Sequence, residues 1–135
     1  MNQVPALFSL NRVVSKGGVL SALQQDAFFP MEIRRSYWIY DTEENAARGH
    51  HVHLNSARVM VCLKGSVEVL LENTYGRVER FDLENPARAL FVPELHWINL
   101  SFAKDSILLV FASCLLEDDA MLKSYQEFKS YRVPE

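Results

Sequence analysis

Three of the four histidines stand together, at positions 50, 51 and 53. His51 and His53 are separated by one residue, so on a strand their imidazoles leave the same face, roughly 6–7 Å apart. Such a pair has two chemical uses. It can ligate zinc, iron or manganese. It can also give and take protons at neutral pH, because an unperturbed imidazole titrates near ~6.5. The plain alternative is a solvated loop whose histidines do nothing.

Position 58 bears on the choice. Metal-binding cupins space their ligands as His-x-His, four residues, Glu, six residues, Gly. Here His51-Val52-His53 is followed by Leu54–Ala57, then position 58, then six residues to Gly65. The spacing fits, but the residue is Arg58, a permanent cation with no lone pair for a metal. Acid/base chemistry is therefore the expectation, with no metal and no cofactor.

A pair on one face requires a strand, and the chain is rich in strand signals. Ile33–Tyr40 is aromatic and β-branched, and Arg34 and Arg35 alternate to opposite faces along it. Asp41–Arg48 reads as a polar loop. Arg58–Leu63, Val67–Glu72, Arg77–Leu83, Ala89–Val92, His96–Leu100 and Ile107–Ser113 follow as short strands between Gly, Pro or Asn turns. Val19–Leu23 is a further short one after the turn at Lys16-Gly17-Gly18. The tail Asp118–Tyr131 alone reads as helical, with Leu122, Tyr125 and Phe128 on one stripe and acids leading. This pattern predicts an all-β sandwich or barrel with a C-terminal helix; the strands by themselves leave jelly roll, immunoglobulin-like and OB architectures open.

Composition sets the limits. The 135 residues, 49% hydrophobic and 23% charged, suit one globular domain spanning 1–135 with a real core and no disorder. The longest apolar run, Ser106–Leu116, falls short of the roughly 20 residues of a membrane helix and meets Glu117-Asp118-Asp119. The N-terminus carries no signal-peptide pattern. A formal charge of −3 argues against nucleic acid as partner. Cys62 and Cys114 lie in apolar runs and read as buried free thiols of a reducing cytoplasm.

Taken in series, Ile33-Arg34-Arg35-Ser36-Tyr37-Trp38-Ile39-Tyr40-Asp41-Thr42, Arg48-Gly49-His50-His51-Val52-His53 and Val59-Met60-Val61-Cys62-Leu63-Lys64-Gly65 resemble the nucleotide-sugar 3,4-ketoisomerases. These are WxcM-like, RmlC-type cupins acting on dTDP-4-keto-6-deoxyglucose. The likeness runs along most of the chain, to Leu122–Phe128. It differs where the family usually has Lys and Gln, at Leu54 and Arg58, and in Pro93-Glu94-Leu95-His96-Trp97.

The resemblance implies a double-stranded β-helix (jelly roll) and a homodimer with exchanged N-terminal strands. It further implies metal-free transfer of a ketone from C4 to C3 in deoxy-amino-sugar synthesis. By motif position His51 and His53 are the acid/base pair, either one the base, and Tyr37 lies beside them as an oxyanion or sugar contact. His50 falls at a variable position. The diphosphate needs cations, for which Arg35, Arg48 and Arg58 are candidates, and His96 is taken as a further substrate contact. Trp38 and Trp97 are large enough to stack on a base, though core packing suits both better. The alternatives are a 3,5-epimerase of a nucleotide sugar, a relative that usually uses a His–Asp pair, and a non-catalytic cupin that binds a ligand or metal.

Overall fold

The computed structural model describes residues 3–132. Its strands are β1 (Ala6–Ser9), β2 (Asn11–Ser15), β3 (Gly18–Ala22), β4 (Arg35–Ile39), β5 (Ala46–His53), β6 (Arg58–Lys64), β7 (Val67–Glu72), β8 (Val78–Leu83), β9 (Arg88–Val92), β10 (Trp97–Phe102), β11 (Ile107–Ala112) and β12 (Met121–Leu122). One antiparallel sheet runs β1-β9-β6-β11-β4 and the other β12-β5-β10-β7-β8, while β2 and β3 form a separate ribbon. The two sheets enclose a core built from both, including Met60, Cys62, Leu90, Leu108 and Val110 from the first and Val69, Leu71, Ile98, Leu100 and Phe102 from the second. This is the all-β jelly-roll arrangement expected.

The long apolar runs have a simple cause. Strands with one face on solvent alternate, whereas strands covered on both faces do not. The first sheet is covered outside by Phe8, Leu10, Leu23, Phe29 and Met31, which pack on Val59, Val61, Ala89 and Phe91. Val59-Met60-Val61-Cys62 is therefore apolar at every position. The second sheet is covered over part of its outer face, where Val52 and Trp97 pack on Phe128 of the helix α1 (Tyr125–Ser130).

Cross-strand neighbours share a face, so register sorts the inward residues into rows. Arg58, Ala112 and Arg35 form one row; Met60, Val110 and Tyr37 the next; Cys62, Leu108 and Ile39 the third. The first row is the only one of the three that carries charge.

Three expectations need correction. The loop read over Asp41–Arg48 ends early, because Ala46–Arg48 already pair with Phe102–Leu100 as the start of β5. The helix read over Asp118–Tyr131 is only Tyr125–Ser130. Before it come a 3-10 turn at Leu116–Asp118 and β12, whose Met121 and Leu122 pair with His53 and Val52. The helix starts at an N-cap: the Ser124 hydroxyl accepts a hydrogen bond from the Glu127 amide. Both cysteines are free, but Cys114 is only partly buried. Burial raises the Cys62 thiol above its ordinary range. Among the described residues no helix is long and apolar enough to cross a membrane.

Candidate active site

Strand β5 delivers the histidines, and a bulge in it decides which way they face. Ile98 lies opposite His51, but Asn99 lies opposite Gly49, so the register slips at His50. Ile98 and Leu100 point into the barrel, so their partners His51 and Arg48 do too. Residues 48 and 51 would face opposite ways on a regular strand; the extra residue restores them to one side. His50 takes the slack with φ of 56° and is exposed on the outer face. Gly49 sits at φ of 94°, and a Cβ there would lie 2.6 Å from the Ile98 carbonyl oxygen. Glycine is the residue that fits.

Inside the barrel the two rings meet edge to face. His51 Nε2 and His53 Nε2 are 2.9 Å apart, with ring centroids 4.6 Å apart. His51 Nδ1 lies 3.0 Å from the Gly49 carbonyl. His53 Nδ1 lies 2.9 Å from Asp119 Oδ1 and 3.0 Å from Arg58 Nη2. Arg58 holds the other carboxylate oxygen of Asp119 through Nη2 and the Ser56 hydroxyl through Nη1. Ser56 in turn donates to Asp119 Oδ1 at 3.1 Å. The Arg58 and Asp119 side chains are 2% and 4% exposed, so this ion pair is fully inside the fold.

Burial and charge tune the pair. Burial, then the Arg58 charge, push His53 down to about 4, against the pull of Asp119. Burial also lowers His51, with the Gly49 hydrogen bond opposing. Burial opposes the charge on Asp119, yet His53 and Arg58 together hold its carboxyl below the usual carboxylate range. At neutral pH both rings are therefore uncharged, the state in which an imidazole can accept a proton.

The remaining expected residues divide. Tyr37 faces the core, and the Arg35 guanidinium lies 4.7 Å from its ring centroid. Arg35 Nη1 is buried with no hydrogen-bond partner. Arg34 points the other way, to solvent, beside Glu32. Arg48 is exposed on the inner side of β5. Arg58, expected to meet a diphosphate, is instead 1% exposed and engaged with Asp119 and Ser56, with no guanidinium edge left toward solvent. His96 is 8% exposed and contacts the Glu94 carbonyl. It lines a cleft of about 330 Å³ with residues 3–5 and Tyr75, and is hydrogen-bonded to neither histidine of the pair. Trp97 packs against Tyr125 and Phe128, whereas Trp38 is 59% exposed, so only the first meets the packing expectation.

Asp119 was not anticipated. In Glu117-Asp118-Asp119, which follows the apolar run and leads into the expected helix, only the third turns inward. The available signal was Arg58 itself, since a guanidinium inside an apolar strand demands a buried acid. Which acid answers it depends on the fold. Among the described residues no group of three or more His, Cys, Asp or Glu is arranged to hold a metal ion, and Arg58 stands at the third ligand position of the cupin spacing, where the motif has Glu.

Comparison with known proteins is consistent over most of the chain. The family model described as FdtA: WxcM-like, C-terminal matches residues 3–133. The TDP-4-oxo-6-deoxy-alpha-D-glucose-3,4-oxoisomerase of Aneurinibacillus thermoaerophilus is 29% identical, covering 93% of this chain and 90% of its own. The crystal structure of QdtA, a sugar 3,4-ketoisomerase from Thermoanaerobacterium thermosaccharolyticum in complex with TDP, is similar with a TM-score of 0.85 at 28% identity, over 93% of this chain and 91% of that one. WlaRB, a TDP-quinovose 3,4-ketoisomerase from Campylobacter jejuni, matches with a TM-score of 0.87 at 30% identity, over 94% and 98%.

Proposed function

The chain belongs to the FdtA family of WxcM-like proteins, and on that premise we propose that it is a nucleotide-sugar 3,4-ketoisomerase acting on a dTDP-4-keto-6-deoxyhexose. The observation that carries this reading is the pair of imidazoles, Nε2 to Nε2 2.9 Å apart, facing the barrel interior, as Arg35, Tyr37 and Arg48 also do.

The reaction needs a base at C3, where the adjacent ketone acidifies the proton. It then needs stabilisation of the enediolate, and an acid that protonates C4. The electron pair released from the C3–H bond becomes the enediolate. The hydroxyl proton of O3 passes to O4, and the proton taken from C3 is replaced at C4. One imidazole removes the first proton and the dyad holds it until it is returned. Tyr37 supplies a hydroxyl for a developing oxyanion. The unpaired Nη1 of Arg35 is a buried cationic donor awaiting an acceptor, which a diphosphate oxygen provides, with Arg48 as the second cation. Arg58 is assigned to the dyad and His96 to the neighbouring cleft.

The ribbon β2–β3 supports a homodimer in which N-terminal strands are exchanged. Val13, Val14, Val19 and Leu20 on it are each more than half exposed, and among the described residues the ribbon pairs only with itself. Such a strip calls for a cover. A Val14→Lys/Leu20→Lys variant should sediment as a monomer where the parent sediments as a dimer. The reading places the protein, residues 1–135 acting as one unit, in the cytoplasm, on the path to a deoxy-amino sugar.

The direct test is incubation with dTDP-4-keto-6-deoxyglucose in D₂O. The expected outcome is a 3-keto product whose C4 carries the hydrogen returned from C3, with deuterium there in those turnovers in which the held proton exchanges with solvent. Absence of product and of exchange across a panel of 4-keto sugar nucleotides overturns the reading. The contact of His53 with Asp119 is the one feature that favours the 3,5-epimerase alternative. Deuterium at C3 and C5 with the 4-ketone retained would select it.

A further inference from the structure

The contacts of the two rings impose a proton count. Gly49 O, His51, His53 and Asp119 form a line with three links: Gly49 O to His51 Nδ1, Nε2 to Nε2, and His53 Nδ1 to Asp119 Oδ1. The two ends are acceptors only. Each link therefore needs one N–H, three in all. Two neutral imidazoles carry two. A neutral dyad must leave one link without a hydrogen, and a dyad holding one extra proton fills all three.

The geometry also says which link goes empty. A bare His51 Nδ1 would set a lone pair against the Gly49 carbonyl, and no other donor among the described residues reaches that nitrogen. A bare His53 Nδ1 has one: Arg58 Nη2 is 3.0 Å away and donates. When Nδ1 carries a proton, the same position faces the Asp119 carboxylate instead, 2.9 Å away. Arg58 and Asp119 thus offer the same ring atom a donor and an acceptor, side by side.

We propose that Arg58 and Asp119 act as a pair of positioning residues that keep His53 Nδ1 hydrogen-bonded in both of its protonation states, so that the dyad can hold one proton between two steps of the reaction. In the resting state His51 carries its proton on Nδ1, toward Gly49. His53 carries its own on Nε2, toward His51, and Arg58 donates to His53 Nδ1. On uptake of a proton the His53 Nδ1–H turns its hydrogen bond to Asp119. The extra positive charge is then countered by the carboxylate. The acceptor is already in place, and only the Arg58 guanidinium, whose N–H groups are fixed in its plane, has to swing off the protonated nitrogen.

The catalytic consequence rests on the ketoisomerase reading: the proton held is the one removed from C3 and returned at C4. The structural claim does not rest on it. The charged groups that act on the two rings are Arg58 from β6, Asp119 before β12 and, on His51, Lys123 after β12.

The first measurement is on the free protein. Long-range ¹H–¹⁵N correlation spectra report which nitrogen of each histidine carries hydrogen. At neutral pH the expected result is Nδ1–H on His51 and Nε2–H on His53, with both His53 nitrogens protonated once the dyad is acidified. A His53 that carries Nδ1–H at neutral pH overturns the proposal. The second measurement is Asp119→Asn. Removing the carboxylate leaves Arg58 unbalanced beside the ring. The acidic limb of the rate–pH profile should then move to lower pH by about one unit, and kcat should fall by about 10²-fold or more with KM little changed. Asp119→Glu should recover part of the rate. If Asp119→Asn fails to fold, Arg58→Gln/Asp119→Ser removes both charges and is read in its place. A folded variant with an unmoved pH profile and an unchanged kcat overturns the proposal. A wild-type protein with the expected tautomers and no turnover refutes the ketoisomerase reading alone.

Discussion

The three rows of inward side chains on β4, β11 and β6 belong to the same strands, yet one end of each strand differs from the other. The row at one end is Arg35, Ala112 and Arg58; the row at the opposite end is Ile39, Leu108 and Cys62. The aliphatic end is dry and packed against both sheets. The charged end holds a buried ion pair, two unpaired guanidinium nitrogens (Arg35 Nη1 and Arg58 Nε) and the histidine dyad from the facing sheet. Stability and chemistry are thus laid along one set of strands. A residue's position along its strand, more than its strand, sets which of the two it serves.

His51→Asn tests the charged end and carries the largest expected effect. Loss of one imidazole of the dyad should lower kcat by about 10³-fold, equivalent to about 4 kcal/mol in the barrier. His51 is only part-buried, so the melting temperature should shift by a few degrees at most. Product formation followed by NMR, with thermal unfolding on the same sample, separates the two quantities. A comparable drop in melting temperature would mean that the two ends are not independent.

Leu108→Ala is the converse test. Leu108 is 0% exposed at the aliphatic end. Truncation should cost roughly 3 kcal/mol, from lost transfer energy and the cavity left behind. Urea unfolding measures it. Turnover per folded molecule, assayed well below the melting temperature, should stay within a factor of about three. A much larger loss would show that packing at the dry end sets the geometry of the dyad.

Acid should weaken the charged end selectively. His53 falls from an ordinary 6.5 to about 4 on folding. Between those values the unfolded chain binds the proton and the folded chain does not. Stability should therefore decline as pH falls from about 6.5 toward 4, by roughly 3 kcal/mol from this residue. His51 adds to the decline in the same direction. Asp119, with its pKa lowered by folding, loses its contribution only as pH falls further, through that lowered value. Urea midpoints from pH 7.5 to 4 should show the slope, and His53→Asn should flatten it.

The difference between the two ends also explains what could be read in the sequence. The dry end is a matter of alternation and turn residues, both local, so the strands from Arg58 to Ser113 stand close to their expected bounds. His51 and His53 were legible for the same reason, since two residues one apart share a face. Arg48 reached that face only through the bulge at Gly49-His50, which simple alternation does not contain. Arg58 was read as a cation for the diphosphate because a guanidinium binds phosphate with two parallel hydrogen bonds. Its inward direction follows from the Arg58–Ala112–Arg35 row, which is set by pairing between strands distant in sequence. Asp119 was hidden among three consecutive acids, and the interrupted helix around it has the same cause. The chain unwinds from Asp119 to Leu122 because that residue is held by Arg58 and His53 while Met121 and Leu122 join the edge of β5.

Two glycines give the smallest predicted effects and the finest test of the comparison. Gly49 and Gly76 both have positive φ, 94° and 87°. At Gly76 an added Cβ would meet only the end of the flexible Lys129 side chain, 3.5 Å away. Gly76→Ala should therefore cost only the backbone penalty, about 1 kcal/mol, and leave activity unchanged. At Gly49 the same backbone penalty is joined by a 2.6 Å approach to the Ile98 carbonyl, which belongs to the neighbouring strand and cannot swing away. Gly49→Ala should cost about 2 kcal/mol. It should also reduce kcat, because Gly49 supplies the carbonyl that fixes His51 Nδ1 and the bulge that turns Arg48 inward. Equal stability losses with equal activities in the two variants would mean that the bulge is a tolerance of the strand rather than the device that aims the dyad.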